Sequence, residues 1–147
     1  MDDHEVLNLL AKVGGVITDS HIVYTSGKHG SAYINKDAIY PHTHETSELC
    51  RMLALNFWDV SSSGRSPEVV IAPAVGAVIL SQWVGYHLTR MNYDSLYHHE
   101  VTATYAEKEG VELTSSSYGP LPSKHEDKFV IKRGYDKLVV GKRVLVV

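Results

Sequence analysis

One stretch limits the fold more than any other. Val69, Val70, Ile71 and Ala72 form a short, unbroken apolar run. Pro73-Ala74-Val75-Gly76 follow, and then a longer, mostly apolar segment at 77–90. A run this short and this apolar suits a strand buried on both faces, and the Pro/Gly stretch suits a turn. Strand, turn and helix in that order are the βα unit of a parallel sheet. The expected helix at 77–90 is apolar almost all round, through Ala77, Val78, Ile79, Leu80, Trp83 and Val84. Such a helix is buried on more than one side, and a subunit interface is a reasonable expectation for it.

Other elements fall around this unit. Residues 2–13 read as a helix, with Val6, Leu9, Leu10 and Val13 at helical spacing and Gly14-Gly15 as the stop. Residues 16–35 read as β-structure reversed at Ser26-Gly27-Lys28-His29-Gly30. A second helix spans Thr43 to Phe57, its apolar face drawn through Leu49, Met52, Leu53 and Phe57. Ser61 to Pro67 reads as a surface loop and hinge, and 115–127 as a loop rich in Ser, Pro and Gly. Further strands are expected at 101–106, 129–131 and 144–147. The fold class is α/β, a mostly parallel sheet flanked by helices behind a small N-terminal α+β piece. The chain reads as one domain, with a helix/hairpin/helix segment at 1–60 and an incomplete parallel core at 61–147.

Val144-Leu145-Val146-Val147 is expected to be a fully buried parallel strand. In open parallel sheets, ligands bind beyond the carboxyl ends of the strands. A chain that stops on such a strand reads as a fragment of a longer protein. The alternative is a terminal edge strand of a complete small domain.

Composition narrows the classes of function. The chain has 147 residues, 44% of them hydrophobic and 21% charged, as in ordinary globular domains. No apolar run approaches the ~20 residues that would cross a bilayer, and the acidic start Met-Asp-Asp-His-Glu is unlike a secretion signal. A single cysteine, Cys50, excludes an internal disulfide framework and reads as a core residue. A reducing, cytoplasmic setting is expected. Of the nine histidines, only His42/His44 and His98/His99 lie close in sequence, so surface histidines are favoured over a metal site.

Net charge is −3, but unevenly spread. Residues 1–123 carry 7 Lys/Arg against 14 Asp/Glu, and 124–147 carry 7 against 3. A basic segment on an acidic body favours a localised anionic ligand over a broad nucleic-acid surface. Taken alone, it is also simply a solvated face.

Three stretches could carry chemistry. The turn Pro73–Gly76 precedes a helix, where free N–H groups and the helix dipole favour an oxyanion. Lys132-Arg133-Gly134-Tyr135-Asp136-Lys137 follows an expected strand and could place Lys132, Arg133 and Lys137 on the same edge, closing over a polyanion. It could equally be an exposed hairpin. Thr25 to Asp37 mixes hydroxyls, glycines, cations, an aromatic and an amide. It could grip a planar polar ring by stacking on Tyr33, hydrogen bonds from Asn35 and charge from Lys28 or Lys36, or be simply a polar turn.

Together these stretches resemble the type I phosphoribosyltransferases, and within them the orotate phosphoribosyltransferases. Ser26-Gly27-Lys28-His29…Tyr33-Ile34-Asn35 is similar to that family's segment lining the pyrimidine pocket. Residues 69–76 resemble its pyrophosphate-binding loop, although Gly76 stands where some members carry lysine. Phe129 to Arg133 resembles the start of its mobile catalytic loop, and Gly141 to Val147 the lead-in to its phosphoribosyl diphosphate motif, which would begin at 148.

The resemblance implies transfer of ribose 5-phosphate from phosphoribosyl diphosphate to a nucleobase, most closely orotate. Mg²⁺ would be the cofactor and a homodimer the assembly, with neither nucleic acid nor membrane as partner. It implies that the backbone of Ala74, Val75 and Gly76 holds pyrophosphate and that Lys132, Arg133 and Lys137 fold over it. Ser26, Gly27, Lys28, Tyr33 and Asn35 would meet the base. The same likeness also fits a regulatory protein that binds a nucleotide precursor without turnover. In either case the 147-residue chain is expected to be a poor catalyst by itself.

Overall fold

The computed structural model describes residues 3–58, 66–96, 98–109 and 128–147. Helix α1 (Asp3–Lys12) leads into four two-residue strands, β1 (Val16–Ile17), β2 (Ile22–Val23), β3 (His29–Gly30) and β4 (Tyr33–Ile34). They pair antiparallel as β1 with β4 and β2 with β3. This N-terminal piece forms a hood. Its inner hairpin depends on Gly30, since a Cβ there would lie 2.1 Å from the Tyr24 hydroxyl. That hydroxyl donates to the Ala32 carbonyl at 2.6 Å and fastens the ring across the hairpin.

A 3-10 turn at Lys36–Ala38 follows, then α2 (Thr43–Phe57). Ile39 is fully buried between them, and its carbonyl accepts from the Thr46 hydroxyl at 2.7 Å. Sequence grouped α2 with the hood, but α2 packs against α3 (Val78–Tyr93) and feeds the main core. Its buried face runs through Thr46, Cys50 and Ala54 rather than through Leu49 and Phe57; Phe57 is exposed. Burial pushes the Cys50 thiol up to about 12, so it is neutral packing material.

The core sheet has the order β7-β6-β5-β8, with β5 at Val69–Pro73, β6 at Thr102–Lys108, β7 at Phe129–Val130 and β8 at Val144–Val146. β5 pairs in parallel with β6 on one side and β8 on the other, while β7 runs antiparallel to β6. Val70, Ala72 and Leu145 point to the helical side, where Val70 and Leu145 join Cys50, Ala54, Val84, Leu88 and Val101 in one cluster. Helix α3 lies close to β6 because residue 85 is glycine; a Cβ there would sit 3.2 Å from the Ala103 Cβ. As expected, α3 is buried against two neighbours, α2 and the sheet, yet it leaves Ile79, Tyr86 and Tyr93 exposed.

Two expectations need correction. The strand at β8 is not fully buried: Leu145 is, but Val144 is 41% and Val146 68% exposed. As an edge strand it offers one face to the core and one to the outside, and an apolar run cannot report that difference. The 129–131 strand is short and antiparallel, so the chain after it runs back along the sheet. A short helix, α4 (Asp136–Val139), lies in that return. Of the surface loop and hinge expected at 61–67, residues 61–65 lie outside the described residues, and Ser66 and Pro67 are buried rather than at the surface; the loop expected at 115–127 also lies outside the described residues. Among the described residues, no helix is long and apolar enough to cross a membrane.

The edge position of β8 makes a measurable distinction. Leu145→Ala is expected to lower stability by about 3 kcal/mol, because it opens the shared cluster. Val146→Ala is expected to cost less than about 1 kcal/mol. The comparison is the urea midpoint of each variant at unchanged slope. Equal losses would contradict the burial assigned to this strand.

Candidate functional site

Parallel pairing of β5 with β6 and β8 puts the carboxyl ends of all three strands at one edge. The Val147 N–H donates to the Ile71 carbonyl at 2.9 Å, so the ends of β5 and β8 are immediate neighbours. The turn from β5 into α3 rises from this edge and contains a cis peptide between Ala74 and Val75. The Ala74 N–H donates to the Ala106 carbonyl at 2.7 Å and is therefore occupied. The N–H groups of Val75 and Gly76 have no partner among the described residues. Val75 is 87% exposed, and α3 begins with neither a side-chain cap nor an acidic residue in its first turn. Open donors at the positive end of a sixteen-residue helix favour an oxyanion.

The hood is fastened to this turn. Lys36 donates from Nζ to the Gly76 carbonyl at 2.7 Å and to Asp37 Oδ1 at 2.6 Å. The Tyr40 hydroxyl donates to the same Gly76 carbonyl, and the Lys36 ammonium lies 5.2 Å from the centre of the Tyr40 ring. The bond to Asp37 is the main cause holding the Lys36 pKa above its ordinary value. The segment is itself anchored on both sides. The Asn35 N–H donates to Gly15 O at 2.7 Å, and its side-chain oxygen caps the Asp37 N–H at 3.2 Å.

The structure sorts the residues singled out by sequence. Tyr33 lies in β4 and Asn35 follows it, leading directly into Lys36 and so to the turn. Ser26, Gly27 and Lys28 form the exposed tip of the β2–β3 hairpin, where the Gly27 N–H donates to Tyr24 O at 2.9 Å. None of the three makes a hydrogen bond to the β5–α3 turn. Of the backbone groups at Ala74, Val75 and Gly76, only the last two have an N–H left to offer.

The cation cluster at 132–137 is rearranged. Lys132-Arg133-Gly134-Tyr135 closes a tight turn, with the Tyr135 N–H donating to Lys132 O at 3.2 Å. Arg133 and Gly134 both have positive φ, 63° and 77°, as a turn of the mirror-image type requires. Arg133 Nε lies 3.0 Å and Lys132 Nζ 3.6 Å from the carboxylate of Glu107, near the carboxyl end of β6. Lys137 is carried to the opposite end of the sheet. There it lines a cleft of about 360 Å³ with Glu68, His99, Glu100, Lys142 and Arg143. Lys132 and Arg133 therefore stay near the carboxyl edge by way of Glu107, while Lys137 does not share the edge of the β5–α3 turn. The antiparallel direction of β7 is the cause.

The basic C-terminal segment is mostly engaged in ion pairs. Lys128 pairs with Glu109, Lys132 and Arg133 with Glu107, and Lys142 and Arg143 with Glu68. Its charge thus stitches this segment to the acidic body, which weakens the reading of it as a free anion-binding patch. Sequence reasoning missed Tyr40 and the placement of Lys36 on the turn. The apolar pair Ala38-Ile39 between Asp37 and Tyr40 was the available signal. It also missed His21 and His29, whose rings stack 4.8 Å apart with Nε2 and Nδ1 at 2.6 Å.

No family model matches the chain. It is 32% identical over 88 residues to an orotate phosphoribosyltransferase of Bartonella henselae, covering 60% of this chain and 44% of that protein. With an orotate phosphoribosyltransferase of Thermoanaerobacter it is 36% identical over 81 residues, covering 55% and 40% respectively. With that of Parvibaculum lavamentivorans it is 25% identical over 148 residues, covering 100% of this chain and 60% of the relative. The chain spans about half the length of the curated relatives it matches. Among solved structures, orotate phosphoribosyltransferase from Mycobacterium tuberculosis superposes with a TM-score of 0.53 at 16% identity, covering 97% of this chain and 63% of that one. The resemblance read from sequence stands, and the fold is the α/β fold of the type I phosphoribosyltransferases.

The Glu107 clamp has a pH signature. The Glu107 carboxyl is held below its ordinary value of 4.5, chiefly by the hydrogen bond from Arg133. A carboxyl whose pKa is lower in the folded state stabilises above its unfolded value, and that gain is lost as pH falls through the lowered one. The stability difference between wild type and Glu107→Gln is expected to shrink on acidification below about 4.5. Thermal melts across that range read it; a difference independent of pH would contradict the clamp.

Proposed function

We propose that the protein is a phosphoribosyltransferase that moves ribose 5-phosphate from phosphoribosyl diphosphate to a nucleobase, with orotate as the base and pyrimidine nucleotide synthesis as the setting. One observation carries the reading: a turn with two open N–H groups, at the start of α3 and at the shared carboxyl edge of the parallel strands, clasped by the hood. Orotate phosphoribosyltransferases are the relatives it matches, which supports the choice of base.

On this reading the chemistry asks for position and charge more than for covalent help. The leaving group is a diphosphate on which negative charge grows as the glycosidic bond breaks. The Val75 and Gly76 N–H groups and the α3 dipole stabilise that charge. The hood orients the base: Tyr33 offers a partly exposed ring and Asn35 a polar side chain beside Lys36. The hairpin tip at Ser26, Gly27 and Lys28 gives hydroxyl, backbone and ammonium donors to the carboxylate of the base. Lys132 and Arg133 act from the side of β6 by way of Glu107, and Lys137 takes no part at the turn.

Mg²⁺ belongs to the proposal as a companion of the diphosphate. Among the described residues no group of three or more His, Cys, Asp or Glu could hold a metal, so no step here runs through it. A homodimer through the exposed Ile79, Tyr86 and Tyr93 of α3, and a cytoplasmic setting that keeps Cys50 a free thiol, complete the reading.

The test is turnover by the full-length gene product. Phosphoribosyl diphosphate and Mg²⁺ are supplied with orotate, uracil or a purine base, and the base spectrum is followed. Consumption of orotate with matching release of pyrophosphate is expected. Binding of phosphoribosyl diphosphate with no consumption of any base would favour a sensor without turnover.

A further inference from the structure

We infer that Lys36, delivered by the hood, is a diphosphate-recognition residue of the β5–α3 turn. The inference rests on the function proposed above and adds a side chain to a site so far built from backbone. Its ammonium lies 2.7 Å from the Gly76 carbonyl oxygen, next to the open N–H groups. A Cβ on Gly76 would lie 3.1 Å from Nζ, so the missing side chain at 76 leaves room for the cation. The turn has no cation of its own between Pro73 and Ala77.

The position is held from behind. Ile39 is fully buried, Thr46 bonds its carbonyl, and Tyr40 bonds the Gly76 carbonyl independently of Lys36. The hood therefore stays on the turn if Lys36 lets go. The ion pair with Asp37 is open to water, with the Lys36 side chain 52% and that of Asp37 65% exposed. An exposed pair of this kind contributes little and is easily exchanged. When a diphosphate reaches the Val75 and Gly76 N–H groups, the ammonium exchanges the Asp37 carboxylate for a phosphoryl oxygen, a charge-assisted bond to a more highly charged partner.

This arrangement gives the two neighbours opposite effects. Lys36 attracts the anion and Asp37 repels it while shielding Lys36. A purely structural ion pair would make both substitutions harmful or both silent.

The probe is inorganic pyrophosphate with Mg²⁺, titrated calorimetrically into the protein. Lys36→Met is expected to weaken binding by about tenfold, the loss of one charge-assisted bond. Asp37→Asn is expected to tighten it by about threefold, through removal of a like charge near the turn. Lys36→Arg, which keeps the charge, is expected to recover most of the loss. The gap between wild type and Lys36→Met is expected to narrow as salt is raised. Melting curves of each variant check that it is folded. If wild type binds and Lys36→Met binds as well, or if both substitutions weaken binding alike, the inference is overturned and the proposed function stands. If folded wild type does not bind pyrophosphate, the reading of the turn falls and takes the inference with it.

Discussion

The structure depends on one strand, β5, being hydrogen-bonded in parallel on both sides. Val69 and Val70 are almost wholly buried, and both strand partners start in step with β5, Thr102 and Val144 each lying opposite Val69. This pairing fixes where the chain must leave the sheet. Ligands of open parallel sheets gather at that edge because the turns there present unpaired N–H groups and helix starts. Here the turn after β5 keeps two such donors open because Ala106 takes only the first of three. The position of the candidate site is thus a consequence of sheet pairing.

The second constraint is how the charges are distributed. The acidic body and the basic C-terminal segment find each other, through Glu68 at the amino ends of the strands and Glu107 near the carboxyl ends. Glu68 holds a lowered pKa because the Arg143 backbone N–H and Lys142 both bond it. These pairs align the return of the chain from β7 to β8 and, among the described residues, leave few cations of that segment unpaired. A cation that serves the turn comes instead from the hood, some forty residues earlier in sequence. Local charge counts therefore misdirect, and the partners of each charge decide its role.

Much of this was readable from sequence, for stated reasons. The run Val69–Ala72 and the turn after it announced a βα unit because four apolar residues bounded by Pro and Gly have few other uses. Helix α2 ran from Thr43 to Phe57 as its spacing implied. Its buried face did not follow, since Thr46, Cys50 and Ala54 are small residues chosen for close packing against α3. The direction of β7 could not be read, because a two-residue strand has no pattern that distinguishes parallel from antiparallel. That one unreadable direction sent Lys137 to the far end of the sheet. The bond from Lys36 to Gly76 was also invisible, as it joins elements that meet only once the hood is folded.

The central claim is that the carboxyl edge, and not the amino edge, receives a polyanion. Backbone amide resonances followed by NMR during addition of inorganic pyrophosphate test it most directly. The account calls for the largest changes at Val75, Gly76 and Ala77, with Tyr40 following through the shared carbonyl. Glu68, His99, Lys137 and Lys142, around the cleft at the other end, should stay still. Changes concentrated at that cleft, with Val75 and Gly76 unmoved, would contradict it.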